Sequence, residues 1–292
     1  MEIHRSWLYV PGHRDKMVEK ALGLGPDVLV FDLEDAVPED SKLSARETLA
    51  SAVASSPVAS ACFVRTHAAA DPNIRADLRA VVRKGLSGIV VSKVERPDDI
   101  ESVDAMLCER ESAAGIPHGH VKVVALIESA CGLIQAPAIA ASCDRMVGLM
   151  FGAEDFARDL GLPSLRKGDV GKLLYARSGL VVAAASEGLQ AIDCVYLDYK
   201  DNRGLAAETR EARQLGFTGK CVIHPGQIEI VRTCYLPTEE ELTYARKVVE
   251  TFEASDGGAV AVEGQMVDLP VLERARRIIR SRGSADEHGG GS

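Results

Sequence analysis

The sequence lacks long apolar runs and paired cysteines, and each absence excludes a class of protein. No apolar run approaches the ~18 residues of a transmembrane helix, and the N-terminal MEIHRSWLYVPGHRD has only a four-residue apolar run, too short for a signal-peptide core. The seven cysteines stand singly, without a CxxC pair, which is typical neither of a zinc site nor of a disulfide framework. These absences predict a cytoplasmic protein with reduced thiols, or an organellar one after removal of a transit peptide.

An excess of positive charge is also absent. The chain has 34 Lys and Arg against 43 Asp and Glu, a formal net charge of −9. A nucleic acid or an anionic membrane surface would on average be repelled, so neither is a predicted partner. A local basic patch could still bind a phosphorylated small molecule.

What is present is a composition typical of a globular protein. Hydrophobic residues make up 46% and charged residues 26% of the 292 residues, which excludes collagen-like, disordered and disulfide-scaffold proteins. The length fits two ordinary domains or one large α/β barrel.

Eight short apolar runs alternate with segments of helical periodicity. The runs are residues 7–10, 28–31, 62–64, 89–91, 123–127, 147–151, 194–197 and 221–223. Strands that are apolar along their whole length, alternating with helices, predict a parallel sheet covered on both faces. An open doubly wound sheet is the alternative, but no GxGxxG or GxxxxGK[ST] motif follows a strand. The α/β fold class is therefore predicted to be a (β/α)8 TIM barrel.

The barrel repeat accounts for residues 1–235. Beyond it, the sequence predicts a C-terminal helical and hairpin extension over 236–282, a lid or an oligomer arm, with helices at 239–253 and from near Asp268. The polar, Gly-rich residues 283–292 predict a flexible tail.

Polar residues follow the predicted strands, and in a barrel all of these positions lie at one face. They are Arg14, Asp32, Glu34, Asp35, Arg65, Lys93, Glu128, Glu154, Asp155, Asp198 and His224. Carboxylates crowded together repel one another unless a cation neutralises them, and an oxygen-only set suits a hard ion such as Mg²⁺. Asp198, His224 and Lys93 are expected to support this site rather than to react.

At this point the sequence resembles a known family. RSWLYVPGHRDKMVEKAL, VFDLEDAVPEDSKLSAR, ALIESACGL, LMFGAEDFARDLG, LQAIDCVYLDYKD, LGFTGKCVIHPGQI and GQMVDLPVLERARRII resemble, in order, the motifs of citrate lyase β-subunit-like lyases of the HpcH/HpaI aldolase superfamily, which includes malyl-CoA and citramalyl-CoA lyases. The resemblance spans about residues 5–279. It implies a Mg²⁺-dependent barrel, with Mn²⁺ as a possible substitute, that cleaves or forms a carbon–carbon bond next to a thioester. It also implies a homotrimer or a hexamer.

The resemblance makes Glu128 and Asp155 the metal ligands, with water and substrate oxygens completing the shell. Mg²⁺ commonly takes only one or two carboxylates, so two acids at strand ends suffice. The alternative is that both are helix-start acids or caps.

The family uses an arginine at the position of Arg65 to hold the 2-oxo acid carboxylate and the oxygen whose charge changes during cleavage. Glu34 and Asp35 are implied to orient Arg65, a metal-bound water or a substrate hydroxyl. A structural ion pair of Arg65 with either acid is the alternative, and the two roles are compatible. Thr66 and His67 depart from the family's usual RVN or RIN, which leaves substrate choice near this strand open.

In relatives, the region that contains Arg14 and Lys20 meets the nucleotide end of coenzyme A, whose phosphates need cations. Both residues could instead be solvated helix residues. Asp268 precedes Pro270 and a helical segment, as an N-cap does. In the family, the matching aspartate reaches a neighbouring subunit's active site and handles the proton at the thioester α-carbon.

The implied reaction cleaves a 3-hydroxyacyl-CoA, such as malyl-CoA or citramalyl-CoA, to acetyl-CoA and a 2-oxo acid, or runs in reverse. The substrates, a 2-oxo acid and an acyl-CoA, are the predicted partners. Alternatives are a citrate lyase β subunit acting on citryl-acyl carrier protein, a CoA-independent metal-dependent 2-oxo acid aldolase, and a non-catalytic metabolite sensor.

Overall fold

Eight parallel strands pair in chain order, and β8 pairs with β1 to close the barrel. The computed structural model describes residues 3–56, 60–163, 169–255 and 258–288. The strands are β1 (Ser6–Pro11), β2 (Val28–Asp32), β3 (Ala61–Thr66), β4 (Gly88–Val91), β5 (Lys122–Ile127), β6 (Met146–Phe151), β7 (Gln190–Asp193) and β8 (Gly219–Val222). The predicted (β/α)8 barrel is confirmed.

Helices follow the strands and cover the outside of the barrel. They are α1 (Asp15–Ala21), α2 (Lys42–Ala54), α3 (Ile74–Val81), α4 (Pro97–Ala114), α5 (Ala130–Ala140), α6 (Ala153–Asp159), α7 (Leu174–Ser186), α8 (Asn202–Leu215) and α9 (Ile228–Tyr235). In α3, the buried Ile74, Leu78 and Val81 recur at helical spacing and form the face that packs inward.

The predicted position of the seventh strand was wrong. The apolar run 194–197 lies just after β7, which ends at Asp193. Cys194 and Tyr196 are buried although they lie outside the strand, so their apolar character reflects packing of the loop. As a consequence, Asp198 lies on an exposed loop, where it accepts a hydrogen bond from the N–H of Lys200.

Alternation along the strands decides which side chains enter the barrel. Val30, Phe63 and Leu126 belong to the apolar core inside the barrel. Side chains two positions apart share a face of a strand, so Asp32 and Arg65 continue the inward rows at the carboxyl ends of β2 and β3. Asp32 and Arg65 are also register partners. The same end of the sheet therefore receives both an acid and a guanidinium.

The chain divides into two compact units, Met1–Arg232 and Thr233–Ser292. The second contains α10 (Glu239–Glu253), the hairpin strands β9 (Val260–Val262) and β10 (Gln265–Val267), and α11 (Leu269–His288). Positive φ angles at Glu263 and Gly264, 50° and 77°, fit the two-residue turn that hairpins favour. Val248, Val262 and Val267 form the centre of its core.

The helix α11 continues to His288, so residues 283–288, which the sequence assigned to a flexible tail, have a helical backbone. Residues 289–292 lie outside the described part. None of the described helices combines the length and the apolar character needed to cross a membrane.

Candidate active site

A cavity of about 330 Å³ opens at the carboxyl ends of the strands. Its floor is apolar, with Tyr9, Leu126 and Met150. Charged side chains surround the floor, namely Asp32, Arg65, Glu128, Glu154 and Asp155. The structure thus brings together charged residues that are up to 123 positions apart in the sequence, and it places both acids expected to bind metal in one pocket.

Glu128 directly follows β5 and is buried, with only 5% of its surface exposed. Its Oε1 accepts a hydrogen bond of 2.9 Å from the main-chain N–H of Lys93. Burial, together with the nearby negative charges of Asp155 and Glu34, raises the pKa of Glu128 to about 8. Burial is thus the main cause of the shift, and repulsion from the two neighbouring carboxylates adds to it.

Gly152 makes room for this carboxylate. A Cβ atom at position 152 would lie 2.7 Å from both Cβ and Oε2 of Glu128. Gly152 also precedes α6, whose first turn carries Glu154 and Asp155. Asp155 pairs with Arg158 at 2.7 Å, and the Arg158 side chain is 75% exposed, so water screens that pair.

Arg65 forms a two-pronged ion pair with Asp32, with Nε to Oδ1 at 2.7 Å and Nη2 to Oδ2 at 2.6 Å. Its Nη1 lies 3.2 Å from Oε2 of Glu34. The ring of Tyr9 lies against the guanidinium, 5.3 Å from Cζ to the centroid. A guanidinium has five N–H groups, so Nη1 and Nη2 each keep one for a ligand. The ion pair and ligand binding are therefore compatible.

Glu34 and Asp35 are neighbours in sequence but differ in exposure. Glu34 is buried, and burial raises its pKa. The Asp35 side chain is 52% exposed. The ammonium of Lys93 donates to Oε1 of Glu34 and, at 3.4 Å, to Oδ1 of Asp35. Glu34 thus lies between two cationic groups, Arg65 and Lys93.

The remaining predicted residues lie outside the described cavity lining. Arg14 immediately precedes α1 and Lys20 lies in its last turn, and both side chains are exposed. His224 stacks on Tyr199, and its Nδ1 accepts a hydrogen bond from the N–H of Gly226. In the second unit, Asp268 precedes α11 and accepts a hydrogen bond from the N–H of Val271 at 3.3 Å, as an N-cap does.

A second cluster of acidic side chains lies in the barrel, and neighbouring cationic side chains of the protein compensate its charge. Asp193, Cys194 and Glu208 lie close enough together to hold a metal ion. The ammonium of Lys220, however, bonds to Asp193 at 2.7 Å and to Glu208 at 2.9 Å. Arg177 adds a further pair with Asp193. This cluster needs no added cation, which distinguishes it from Glu128 and Asp155.

Several features of the site were missed from the sequence. Asp32 was expected at the rim, but not as the main partner of Arg65, although the inward alternation of β2 could have indicated it. The sequence placed Tyr9 in an apolar strand but gave no indication that its ring would lie against Arg65. The contact of Gly152 with Glu128 joins two strands, and no local pattern encodes it.

The fold and the site define a class of protein: a (β/α)8 barrel whose strand ends hold an oxygen-donor set beside a paired arginine. The model of the HpcH/HpaI aldolase/citrate lyase family matches residues 5–225, and the chain belongs to that family. The predicted family is confirmed, and with it the prediction of a lyase.

Relatives with different activities resemble the chain over nearly its whole length. Citrate lyase subunit beta of Leuconostoc mesenteroides subsp. cremoris is 36% identical over 95% of this chain and 93% of its own. The mitochondrial citramalyl-CoA lyase of Rattus norvegicus is 33% identical over 94% and 85%. The crystal structure of protein CitE from Mycobacterium tuberculosis with magnesium, acetoacetate and coenzyme A superimposes with a TM-score of 0.80, at 35% identity over 96% and 98%.

Proposed function

We propose that the chain is a Mg²⁺-dependent carbon–carbon lyase that cleaves a 3-hydroxyacyl-CoA, such as malyl-CoA or citramalyl-CoA, to acetyl-CoA and a 2-oxo acid, or forms it in reverse. The observation that carries the proposal is the convergence of Glu128, Asp155 and Arg65 on one cavity. The relatives support it, since one is a citramalyl-CoA lyase and another binds magnesium and coenzyme A.

The cavity residues fit a divalent cation. Glu128 and Asp155 offer only oxygen donors, which Mg²⁺ prefers. A bound cation would also stabilise the ionised form of Glu128, whose pKa is raised by burial and by the charges of Asp155 and Glu34. When bound, Mg²⁺ would polarise the oxygens of the acid part of the substrate and stabilise negative charge there. Mn²⁺ is the natural substitute, because it accepts the same carboxylate ligands.

Arg65 contributes the second positive charge. Its two remaining N–H groups, on Nη1 and Nη2, bind the oxygen that changes from hydroxyl to carbonyl as the bond breaks. Asp32 and Glu34 fix the plane of the guanidinium, so this orientation exists before the substrate arrives. Glu34 and Asp35 act on the reaction by orienting Arg65, one of the roles that the family resemblance implied, and both contact Lys93.

The reaction must move one proton. The hydroxyl proton leaves, the carbon–carbon bond breaks, and its electron pair passes into the thioester enolate of the leaving fragment, which takes up a proton at carbon to give acetyl-CoA. We assign that proton to Asp268 from a second copy of the chain, with Arg14 and Lys20 binding the coenzyme A phosphates. A homotrimer or hexamer and a cytoplasmic location remain predictions.

A mass-spectrometric screen tests this function. Purified protein is incubated with malyl-, methylmalyl-, citramalyl- and citryl-CoA in Mg²⁺ or in EDTA. We expect acetyl-CoA, or propionyl-CoA from methylmalyl-CoA, whose extra methyl group lies on the thioester α-carbon, to form with Mg²⁺ only. Glu128→Gln and Asp155→Asn should abolish it, while turnover that survives both changes would contradict the metal assignment.

The second candidate is a citrate lyase β subunit acting on a carrier-bound thioester. The 36% identity to such a subunit favours it. This function requires a protein docking face rather than a nucleotide site. Cleavage of citryl-acyl carrier protein, without activity on any free CoA thioester, would establish it. Cleavage of a free hydroxy-oxo acid would instead indicate a CoA-independent aldolase.

A further inference from the structure

Lys93, two residues beyond β4, has a backbone conformation that lysine rarely adopts. Its φ angle is 53°, in the left-handed region. Glu263 is the other described non-glycine residue with positive φ, and there a hairpin turn requires it. Lys93 lies in no such turn, so the cost of this conformation must be offset by the contacts that it creates.

The main chain of Lys93 contacts the proposed metal site. Its N–H donates to Oε1 of Glu128 at 2.9 Å, while Oε2 of the same carboxylate lies against Gly152. The two contacts together fix the orientation of the Glu128 carboxylate at the carboxyl end of β5. Loss of the left-handed conformation would turn the N–H away and release one side of the carboxylate.

The side chain of Lys93 contacts the other half of the site. Its ammonium bonds to Glu34 and Asp35, and Glu34 in turn lies 3.2 Å from Nη1 of Arg65. Without the ammonium, two adjacent carboxylates would face Arg65 alone. Glu34 would then be able to move closer to the guanidinium and occupy the N–H groups of Arg65 that its two ion pairs leave available.

We propose that Lys93 is a positioning residue with two separable roles: its left-handed main chain orients Glu128 for a divalent cation, and its ammonium restrains Glu34 and Asp35 so that Arg65 remains free to bind the substrate oxygen. Glycine would adopt the same backbone at no steric cost but has no ammonium. Only a long cationic side chain on a left-handed backbone supplies both the N–H contact with Glu128 and the ammonium contacts with Glu34 and Asp35. These contacts offset the cost of the strained conformation.

The backbone role is tested by metal binding without substrate. Mn²⁺ is titrated into Lys93→Gly, Lys93→Met and Lys93→Val and followed by electron paramagnetic resonance. All three lack the ammonium, but valine, being β-branched, strongly resists positive φ. We expect the glycine and methionine variants to bind Mn²⁺ within about twofold of the original protein and the valine variant about tenfold more weakly.

Equal Mn²⁺ affinity in the valine and glycine variants would overturn the backbone role. If circular dichroism shows that Lys93→Val is unfolded, Lys93→Thr replaces it, because threonine is also β-branched and resists positive φ. Asparagine tolerates the left-handed region, so Lys93→Asn should behave like the glycine variant.

The side-chain role is tested by turnover and rests on the proposed lyase function. Lys93→Met should lower kcat about tenfold or more while Mn²⁺ affinity is retained, and Lys93→Arg should recover much of the loss because it keeps the charge. Lys84→Met, the same change at an exposed lysine before β4, is the matched control and should leave kcat unchanged.

The outcomes separate the two proposals. Unchanged kcat in Lys93→Met, with the original protein active, would overturn the side-chain role and leave the lyase function standing. Loss of Mn²⁺ binding, folding and kcat together in Lys93→Met would show a merely structural lysine. If the original protein cleaves no thioester at all, the lyase function and the side-chain role both fail, and the Mn²⁺ titration alone decides the backbone role.

Discussion

Single residues set the geometry around Glu128. The contact between Gly152 and Glu128 can be tested by one substitution. Gly152→Ala would place a methyl carbon 2.7 Å from Glu128, so the carboxylate must shift. We expect Mn²⁺ affinity to fall about tenfold or more and stability by about 1–3 kcal/mol, measured by Mn²⁺ titration and urea unfolding.

The matched control for this change is Gly179→Ala in α7. The nearest atom there would lie 3.6 Å away, an ordinary contact, so Mn²⁺ affinity should be unchanged. Normal Mn²⁺ binding by Gly152→Ala would show that Glu128 does not need its present position.

The sequence could predict where a residue lies, at the face formed by the strand ends, when a local signal marked its strand. Glu128 and Arg65 each end a visible strand, and the barrel brings strand ends together. Lys93 could be assigned to the rim, but not its left-handed conformation, because φ at a single lysine depends on contacts with residues 34, 35 and 128.

At the scale of elements, Asp27 ties the start of β1 to β2 and α9. It accepts hydrogen bonds from the N–H groups of Arg5 and Ser6, at 2.7 and 2.9 Å, and pairs with Arg232. Burial acts to raise the pKa of Asp27, but Arg232 and these N–H groups outweigh it and hold the pKa below its ordinary value of 3.8.

A lowered pKa gives a signed pH dependence. The stabilisation is complete above pH 3.8 and is lost as the pH falls through the lowered pKa of the folded protein. Asp27→Asn should lower the free energy of unfolding at pH 7 by about 1–3 kcal/mol, and this deficit should shrink on acidification. Urea unfolding at a series of pH values measures it, with exposed Glu101→Gln as the control. A deficit that does not change with pH would contradict the assignment.

The cluster around Lys220 joins β7, β8 and two helices. Lys220→Met would leave Asp193 and Glu208 without the ammonium between them. Removing one partner of a buried ion pair costs about 3–5 kcal/mol, which urea unfolding would detect.

Lys122→Met is the control for this cluster. That lysine also lies on a barrel strand, but its ammonium bonds to the main-chain oxygen of Gly119. The change should cost about 1 kcal/mol. If Lys220→Met and Lys122→Met lower the free energy of unfolding equally, the ion pairs of the cluster add no stability beyond that of an ordinary hydrogen bond.

The same cluster explains the error over β7. Gln190 and Asp193 are polar at the two ends of a buried four-residue strand, so the strand has no apolar run to mark it. Its polar end is tolerated because two cations compensate Asp193, namely Lys220, its register partner on β8, and Arg177.

For the whole molecule, the proposed role of Asp268 in a second subunit predicts complementation. Asp268→Asn and Glu128→Gln should each lack turnover alone. Co-expressed, they should recover partial activity, because some sites would combine an intact Glu128 from one chain with an intact Asp268 from another. Acetyl-CoA formation by purified mixed oligomers is the measurement.

Glu128→Gln with Asp155→Asn is the matched control pair. Both changes lie in one cavity of a single chain, so no mixed assembly restores a complete site and no recovery is expected. Failure of the Asp268 pair to complement, with oligomers formed, would leave Asp268 as the N-cap that its hydrogen bond to Val271 shows.

The sequence by itself determined the repeat of strand and helix, the family and the polar strand ends, because each of these is written in local periodicity or in short contiguous motifs. Only the tertiary structure decided which charges meet: Arg65 with Asp32, Lys220 with Asp193, and the N–H of Lys93 with Glu128. Those partners lie far apart in the chain. Barrel closure and strand register, rather than any local pattern, determine the distances between them.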